Sequence, residues 1–290
     1  MKEIVVISGK GGTGKTSVCA ALAYVKPDEM VLADCDVDAS DMHLIFQPKV
    51  HKDEPFFSGV KAVIDPALCT NCGKCASICR FDAIRQDEAA HFVDLLDCEG
   101  CGYCALICPV NAITMPKQKV GRVFGSDTRT GTPMAHARLD IGADNSGKLV
   151  AKVKSDSKAL ATKHSRDYIL VDGSPGIGCP VIASLAGADL ALVVTEPSIS
   201  GFEDLKRVCE LASKFDLKMA CVINKADLNP KIASEIRNTM KHRNIPILME
   251  LPYSNDFSEA ISLGKTLVEY NAPQWQAQFE RLWEKIIKEL

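Results

Sequence analysis

Residues 9–16 form a glycine-rich segment, Gly-Lys-Gly-Gly-Thr-Gly-Lys-Thr, which follows the apolar run Ile4 to Ile7 after one residue. A helical pattern then extends from about Thr16 to Tyr24. Strand, glycine-rich loop and helix are the setting in which the pattern G-x-x-x-x-G-K-[ST] binds phosphates through backbone N–H groups and the start of the helix. The segment therefore predicts an α/β fold with a phosphate-binding loop after its first strand. A glycine-rich turn without function is the alternative.

The side chains of this loop have distinct expected roles. Lys15 is expected to reach the β- and γ-phosphates of a nucleotide, and the Thr16 hydroxyl is expected to bind Mg²⁺. Further contacts to the nucleotide are expected from the rest of the segment and the residue after it, namely Gly9, Gly11, Gly12, Thr13, Gly14 and Ser17.

The alternation of strand and helix continues in the second half of the chain. Apolar runs predict buried parallel strands at residues 30–33, 168–171, 190–194, 219–223 and 246–251. With the first strand they predict a mostly parallel sheet flanked by helices, formed by residues 1–55 and 119–290 as one discontinuous P-loop domain. Residues 121–153 have a turn-rich, β-like pattern whose role the sequence does not indicate.

Residues 56–118 interrupt this alternation and contain eight of the thirteen cysteines. They form two runs of identical spacing, C-x2-C-x2-C-x3-C, which start 29 residues apart. In bacterial ferredoxins three closely spaced thiolates of such a run bind one [4Fe–4S] cluster and the fourth binds the other cluster. We therefore predict a small inserted α+β ferredoxin-like domain with two clusters, one bound by Cys69, Cys72, Cys75 and Cys108, the other by Cys98, Cys101, Cys104 and Cys79.

Two details qualify this metal assignment. Zinc also binds C-x2-C pairs, but eight thiols in paired runs fit cubane clusters better than tetrahedral zinc. Arg80 follows Cys79 at the position where ferredoxin signatures have a proline, whereas Pro109 follows Cys108. The turn after Cys79 is therefore less constrained, and one cluster is expected to have a shifted potential.

Lys10 makes the phosphate loop resemble the deviant Walker A motif of the MinD, ParA, Mrp and nitrogenase iron protein group. The resemblance implies Mg²⁺-dependent ATP hydrolysis by a homodimer that encloses the nucleotides. It also implies that Lys10 reaches into the partner's site, where its charge acts like an arginine finger. A solvated loop lysine is the alternative.

The resemblance extends to three further positions in the chain. Residues 34–36 are similar to switch I. This similarity implies that Asp36 orients the attacking water and that Asp34 has a supporting role on the Mg²⁺ side of the nucleotide site. Asp172 ends an apolar run and resembles the Walker B acid, which holds a Mg²⁺-bound water. Residues 173–176 resemble switch II, which implies that Gly176 senses the γ-phosphate through its backbone.

Two segments bear on the nucleotide base. Residues 224–227, Asn-Lys-Ala-Asp, match the N-K-x-D motif with which GTPases bind guanine, so GTP is an alternative ligand. In the MinD-like group the equivalent asparagine contacts adenine, and residues 251–253 resemble the loop beside the base. We therefore expect ATP and ADP as ligands, with Asn224 and Pro252 near adenine.

The other five cysteines fall into two groups. Cys19, Cys35, Cys209 and Cys221 lie in apolar segments and are expected to be buried thiols. Cys179 follows Asp172 by seven residues, the spacing at which the similar nitrogenase iron protein has a ligand of its shared interface cluster. Metal binding by Cys179 between two subunits is therefore a hypothesis, and a small residue in a tight turn is the alternative.

Charge and hydropathy exclude several classes of partner. A formal net charge of −3 gives no general attraction to nucleic acids, and no apolar stretch suggests a signal peptide or a stable membrane insertion. We therefore expect a cytoplasmic protein. Residues 275–290 form an amphipathic helical pattern with balanced charges, which favours packing on the core over binding to an anionic membrane.

Together these features predict an ATPase that couples its nucleotide state to its clusters. The expected partner is either a metalloprotein that accepts electrons or an acceptor on which iron–sulfur or related metal cofactors are assembled. A MinD-like positioning ATPase whose clusters act as a redox sensor is the alternative.

Overall fold

The computed structural model of the chain describes residues 1–87, 90–143 and 146–290. It has two compact units. The first comprises Met1–Glu54, Arg122–Leu139 and Ser146–Leu290, and the second comprises Pro55–Gly121 and Asp140–Asn145, of which residues 140–143 are described. The predicted insert, residues 56–118, lies within the second unit.

The first part of the chain leads from the larger unit into the smaller one. Its elements are β1 (Lys2–Ser8), α1 (Lys15–Val25), β2 (Met30–Asp34), α2 (Met42–Phe46) and β3 (Lys49–Val60). The smaller unit then has only short elements, β4 (Val63–Ile64), α3 (Lys74–Ile78), β5 (Ile84–Gln86), β6 (His91–Val93), α4 (Tyr103–Ile107) and β7 (Ile113–Thr114). β4 pairs with β7 and β5 pairs with β6, both antiparallel.

The chain returns to the larger unit through β8 (Lys117–Asp127) and β9 (Pro133–Leu139). The remaining elements are α5 (Ser146–Lys163), β10 (Tyr168–Pro175), α6 (Cys179–Leu185), β11 (Leu190–Thr195), α7 (Ile199–Ser213), β12 (Lys218–Ile223), α8 (Pro230–His242), β13 (Ile247–Glu250), α9 (Asp256–Ser262), α10 (Leu267–Tyr270) and α11 (Ala272–Glu289).

Among the described residues, nine strands form one sheet in the order β13-β12-β11-β1-β10-β2-β9-β8-β3. The six neighbouring pairs from β13 to β9 are parallel. Every residue of β2 and β11 is buried, and since successive residues face opposite sides, helices must cover both faces of these strands. The predicted α/β fold with a mostly parallel sheet flanked by helices is confirmed.

The carboxyl-terminal helix α11 packs on this core. Its apolar positions Trp275, Phe279, Leu282, Trp283 and Ile286 are buried in the same hydrophobic cluster as β1 and α1. The expectation that this face packs on the protein is confirmed. Within the parts of the chain that the structure describes, no helix is long and apolar enough to cross a membrane.

The β-like prediction for residues 121–153 is only partly correct. Strands β8 and β9 account for residues 121–127 and 133–139, but helix α5 begins at Ser146, so the prediction for residues 146–153 is wrong. Leu149, Val150 and Val153 are buried at helical spacing, and this burial outweighs the preference of valine for strands.

Helix α5 carries a buried lysine that sequence reasoning missed. The Lys154 ammonium lies 2.6 Å from a carboxylate oxygen of Glu3, and both side chains are less than a tenth exposed. Lys154 Nζ also donates to the carbonyl oxygens of Ser184 and Ala186, at 2.5 and 2.6 Å, near the end of α6. This lysine therefore joins β1, α5 and α6.

Replacing Lys154 with methionine is expected to lower the free energy of unfolding of the larger unit by about 3–5 kcal/mol, because Glu3 and two carbonyls lose their buried partner. Both tryptophans lie in that unit, so urea unfolding followed by tryptophan fluorescence measures the change. Lys148→Met, at an exposed position of α5, is the matched control, with an expected change within about 0.5 kcal/mol. Equal effects of the two substitutions would show that the buried ion pair is not stabilising.

Candidate functional site

The glycine-rich loop connects the carboxyl end of β1 to α1. Gly12 and Gly14 have φ angles of 78° and 91°, which residues with side chains rarely adopt. A Cβ on Gly9 would lie 2.5 Å from the Cβ of Asp204 in α7, so this position also requires glycine. Gly14 precedes α1, and no side chain caps the first turn of that helix, whose N–H groups are thus left to bind an anion.

Lys15 lies buried between two acids at this end of the sheet. Its ammonium is 2.8 Å from Asp172 Oδ1 and 3.3 Å from Asp36 Oδ2. Burial lowers the pKa of Lys15, but attraction by Asp172 and then Asp36 outweighs it and leaves the pKa raised. The structure therefore brings together three of the residues predicted to be catalytic, and Lys15 carries a full positive charge.

Thr16 and Asp172 form an oxygen-rich pair beside Lys15. The Thr16 hydroxyl donates to Asp172 Oδ2 at 2.8 Å, and Asp172 is 1% exposed. Hydroxyl and carboxylate oxygens are ligands that suit Mg²⁺ and its bound waters. The predicted Mg²⁺-side residues therefore lie together. Ser17, in the same turn of α1, is buried.

Asp34 lies beside Asp172, its partner in the pairing of β2 with β10. It accepts hydrogen bonds from the Ser40 hydroxyl at 2.5 Å and from the backbone N–H of Asp36 at 3.1 Å. Burial and then the charge of Asp172 raise the pKa of Asp34 to about 7. Residues 35–40, called the switch loop below, are thus tied to the site through Asp34. Sequence reasoning did not predict the contribution of Ser40.

We expect the Asp34 carboxyl to titrate near pH 7 in the protein without nucleotide. Its pKa is raised above the ordinary 3.8, so the folded state keeps a proton that the unfolded chain has lost, and this group makes the fold less stable as pH rises from about 4 to about 7. The slope expected is at most about 1.4 kcal/mol per pH unit. Carbon NMR of labelled aspartates, with Asp34→Asn to assign the signal, measures the pKa. A value below 5 would contradict this account.

Lys10 makes its contacts within its own chain. Its ammonium lies 2.7 Å from Glu196 Oε1 and 3.1 Å from the Ser200 hydroxyl. The other Glu196 oxygen pairs with Lys225 at 2.7 Å, and Lys225 donates to the Gly12 carbonyl at 3.0 Å. Glu196 therefore holds two lysines beside the phosphate loop. Sequence reasoning missed Glu196, although its position just after β11 places it at the same edge of the sheet.

The residues expected near the base lie at the end of β12. The Asn224 amide is buried and donates to the Thr13 carbonyl at 2.9 Å. Asp227 Oδ1 accepts the backbone N–H of Tyr253 at 2.6 Å, which fixes the loop that contains Pro252. Of the predicted base residues, Asn224 is thus adjacent to the phosphate loop.

Gly176, predicted to sense the γ-phosphate, has a φ of 92° at the end of β10. Its backbone N–H donates to the Ser8 carbonyl at 2.9 Å, so it lies directly beside the end of β1. This position requires glycine because of its backbone conformation.

In the smaller unit, the eight cysteines of the two runs line two separate cavities. The first, of about 430 Å³, is lined by Cys79, Cys98, Cys101 and Cys104, and the second, of about 20 Å³, by Cys69, Cys72, Cys75 and Cys108. Each cavity therefore takes three thiols from one run and the fourth from the other. This is the grouping that the spacing predicts.

The cavities differ from the site of a single metal ion. Within the described residues, no three His, Cys, Asp or Glu side chains come together closely enough to hold one ion. Burial raises the pKa of the Cys75 and Cys104 thiols, so a bound cationic group would be needed to keep them as thiolates at neutral pH. Backbone N–H groups donate to Cys69 Sγ at 3.4 Å and to Cys108 Sγ at 3.2 Å. Backbone amides therefore donate to two of the four thiols that line the smaller cavity.

The remaining cysteines divide as the sequence predicts. Cys19, Cys35, Cys209 and Cys221 are buried, which confirms that expectation. Cys179 is exposed and is the first residue of α6. Its metal-binding role stays a hypothesis.

Comparison with known proteins agrees with the fold. Residues 4–268 match the family described as the CobQ/CobB/MinD/ParA nucleotide binding domain. An uncharacterized protein of Methanocaldococcus jannaschii is 36% identical over 230 residues, which are 78% of this chain and 79% of that protein.

Two solved structures show the same fold at lower identity. The cell division ATPase MinD of Pyrococcus furiosus has a TM-score of 0.58 and 22% identity, covering 100% of this chain and 99% of that one. The septum site-determining protein MinD of Pyrococcus horikoshii OT3, in complex with Mg-ADP, has a TM-score of 0.57 and 20% identity, covering 98% and 95%.

Proposed function

Because the chain belongs to the CobQ/CobB/MinD/ParA nucleotide-binding domain family, we propose that it binds ATP with Mg²⁺ and hydrolyses it. The contacts of Lys15 with Asp36 and Asp172 support this role. The phosphates compete with the two acids for Lys15, which leaves Asp172 and Thr16 to hold Mg²⁺ and its waters. Asp36 then orients the water that attacks the γ-phosphate.

Adenine is the base that the contacts favour. One oxygen of Asp227, the residue that would bind guanine, already accepts the Tyr253 N–H. A guanine-binding aspartate directs both oxygens to the base, and the Tyr253 N–H instead orients Asp227 Oδ1 towards the backbone of residue 253, which supports ATP over GTP. Asn224 and Pro252 then lie beside adenine.

We further propose that the smaller unit binds two [4Fe–4S] clusters, and the observation that carries this proposal is the pair of four-thiol cavities. Cys69, Cys72, Cys75 and Cys108 hold one cluster, and Cys98, Cys101, Cys104 and Cys79 hold the other. Bound clusters supply one-electron redox chemistry. The amides that donate to Cys69 and Cys108 stabilise thiolate charge and so tune the potential.

The combined function is a homodimeric ATPase that couples its nucleotide state to the clusters. The covalent path supports coupling, since the switch loop leads through α2 and β3 into the smaller unit. Two tasks fit this arrangement, electron transfer to a partner metalloprotein and assembly of iron–sulfur or related metal cofactors on an acceptor. A MinD-like positioning ATPase with redox-sensing clusters is the second candidate, because both solved MinD structures share this fold.

Anaerobic purification followed by iron analysis and ATPase assay tests the proposal. We expect about eight irons per chain, [4Fe–4S] signals on reduction, and Mg²⁺-dependent hydrolysis of ATP in preference to GTP. Reoxidation of the clusters by an acceptor only during ATP hydrolysis would support electron transfer, and loss of iron to an apo-protein would support assembly. Zinc in place of iron, or no hydrolysis, would contradict the proposal.

Cys179 is proposed as a ligand of a metal shared between two subunits. Its exposure at the start of α6 leaves the thiol accessible. A Cys179→Ala protein with unchanged iron content and unchanged transfer activity would exclude this role.

A further inference from the structure

A cavity of the larger unit, here called the switch cavity, lies beside the switch loop. Its volume is about 680 Å³, within the range of sites for small organic molecules. The switch loop, α2, and strands β3, β8 and β9 contribute its walls. In open α/β sheets ligands bind outside the carboxyl ends of parallel strands, and His136 of β9 is the register partner of Asp34 at that edge.

The walls of the switch cavity combine apolar surface with a cation. Val37, Val50, Phe124 and Ala137 supply the apolar part. Arg138 also lines the cavity and is exposed, and within the described parts of the chain no carboxylate pairs with its guanidinium. A guanidinium matches the two oxygens of a carboxylate.

His136 adds hydrogen-bonding capacity to the cavity without a second fixed charge on the wall. His136 is buried, with its Nε2 2.8 Å from the Ser126 hydroxyl and its ring stacked on Phe124. Burial lowers the pKa of His136 to about 4, so this imidazole is neutral. Asp38 is the one acid among the lining residues and is exposed.

We propose that the switch cavity binds a small organic acid, with its carboxylate on Arg138 and its apolar body against Val37, Val50 and Phe124. A neutral molecule of the same shape would leave the Arg138 charge without a partner, so the cavity discriminates by charge. Arg138, Val50 and Phe124 belong neither to the nucleotide site described above nor to the cysteine cavities.

The occupant would also influence the nucleotide site. Ser40 lines the switch cavity, and its hydroxyl donates to Asp34 at 2.5 Å while lying 3.4 Å from His43 Nδ1. An acid that contacts Ser40 or His43 therefore changes the hydrogen bond that the Ser40 hydroxyl donates to Asp34. This regulatory part rests on the proposed nucleotide function, whereas binding to the cavity does not.

Fluorine NMR titration of the protein without nucleotide tests binding, with para-fluorophenylacetate and its neutral amide as probes. We expect the acid to bind at least about tenfold more tightly than the amide, and Arg138→Gln to remove that difference. Val50→Trp, which fills the cavity from an exposed position, should weaken both probes. Arg281→Gln, an exposed arginine of α11 outside the cavity, is the matched control and should change neither affinity.

The results separate the two parts of the proposal. Equal affinities for acid and amide, no saturable binding of the acid, or an unchanged preference in Arg138→Gln would overturn the site. If the site binds the acid, its affinity should change at least about fivefold when Mg-ADP is present, and the acid should change the affinity for Mg-ADP by the same factor. Equal acid affinities with bound and without bound Mg-ADP would overturn the coupling alone, and failure of Mg-ADP to bind would overturn the nucleotide function and the coupling with it.

Discussion

A double variant that lacks Cys72 and Cys108 is expected to lose one cluster, whereas a double variant that lacks Cys72 and Cys79 is expected to lose both. The reason is the exchange of the fourth thiol between the two cavities: Cys108 shares a cavity with Cys72, and Cys79 lines the other one. Iron content after anaerobic reconstitution should fall to about four per chain in the first variant and close to none in the second.

The two variants can be compared directly because each removes two thiols from the smaller unit. If each run instead bound its own cluster, the result would be reversed: the Cys72 and Cys79 variant would keep about four irons, and the Cys72 and Cys108 variant close to none. Cys209→Ala, which removes a buried thiol of α7, is the control and should leave the iron content unchanged. Electron paramagnetic resonance of the Cys72 and Cys108 variant identifies which cluster remains.

Lys10→Ala and Asp36→Ala proteins are each expected to lose ATP hydrolysis by about 10³-fold or more while still binding Mg-ATP. Mixed together, they should regain activity. In the mixed dimer, the site of the Lys10→Ala chain keeps its own Asp36 and receives Lys10 from the partner, so one of the two sites is complete. A lysine that acts within its own chain would leave both sites of the mixture inactive.

Two further variants, one in the phosphate loop and one in α7, are the controls for this complementation experiment. Lys15→Ala should not bind nucleotide and should therefore fail to rescue Lys10→Ala, because no dimer encloses the nucleotides. Lys206→Ala, a half-buried position of α7 that pairs with Glu203, should hydrolyse ATP normally. Steady-state phosphate release across mixing ratios measures the result, and no recovery at any ratio would contradict action across the dimer.

Much of the nucleotide site follows from short sequence patterns. The Gly9–Thr16 segment follows the buried strand β1, and Asp172 follows the apolar run 168–171 within β10. The parallel pairing of these two strands brings both to one edge of the sheet. The grouping of the cysteines was also predictable, because two runs of equal spacing imply an exchange of the fourth ligand. Local patterns therefore located the residues that we propose to act on phosphates and metal.

Contacts between distant segments could not be predicted in this way. Glu196 meets Lys10 only because β11 lies beside β1, and Lys154 meets Glu3 of β1 only because α5 packs against the sheet and α6. Helix α5 was itself misassigned in its first residues, since valines at helical spacing resemble a strand when their burial is unknown. The switch cavity has no sequence signature, as its walls come from five separate elements.

The reduction potentials of the clusters, measured with Mg-ADP, with a non-hydrolysable ATP analogue and without nucleotide, test the central claim most directly. Coupling between nucleotide state and the smaller unit predicts that at least one potential shifts by about 60 mV or more, a tenfold change in a one-electron equilibrium. The accessibility of cluster iron to a chelator should change between the same nucleotide conditions. Identical potentials and identical accessibility in all three conditions would contradict the claim and leave the cysteine-rich unit without a link to the ATPase.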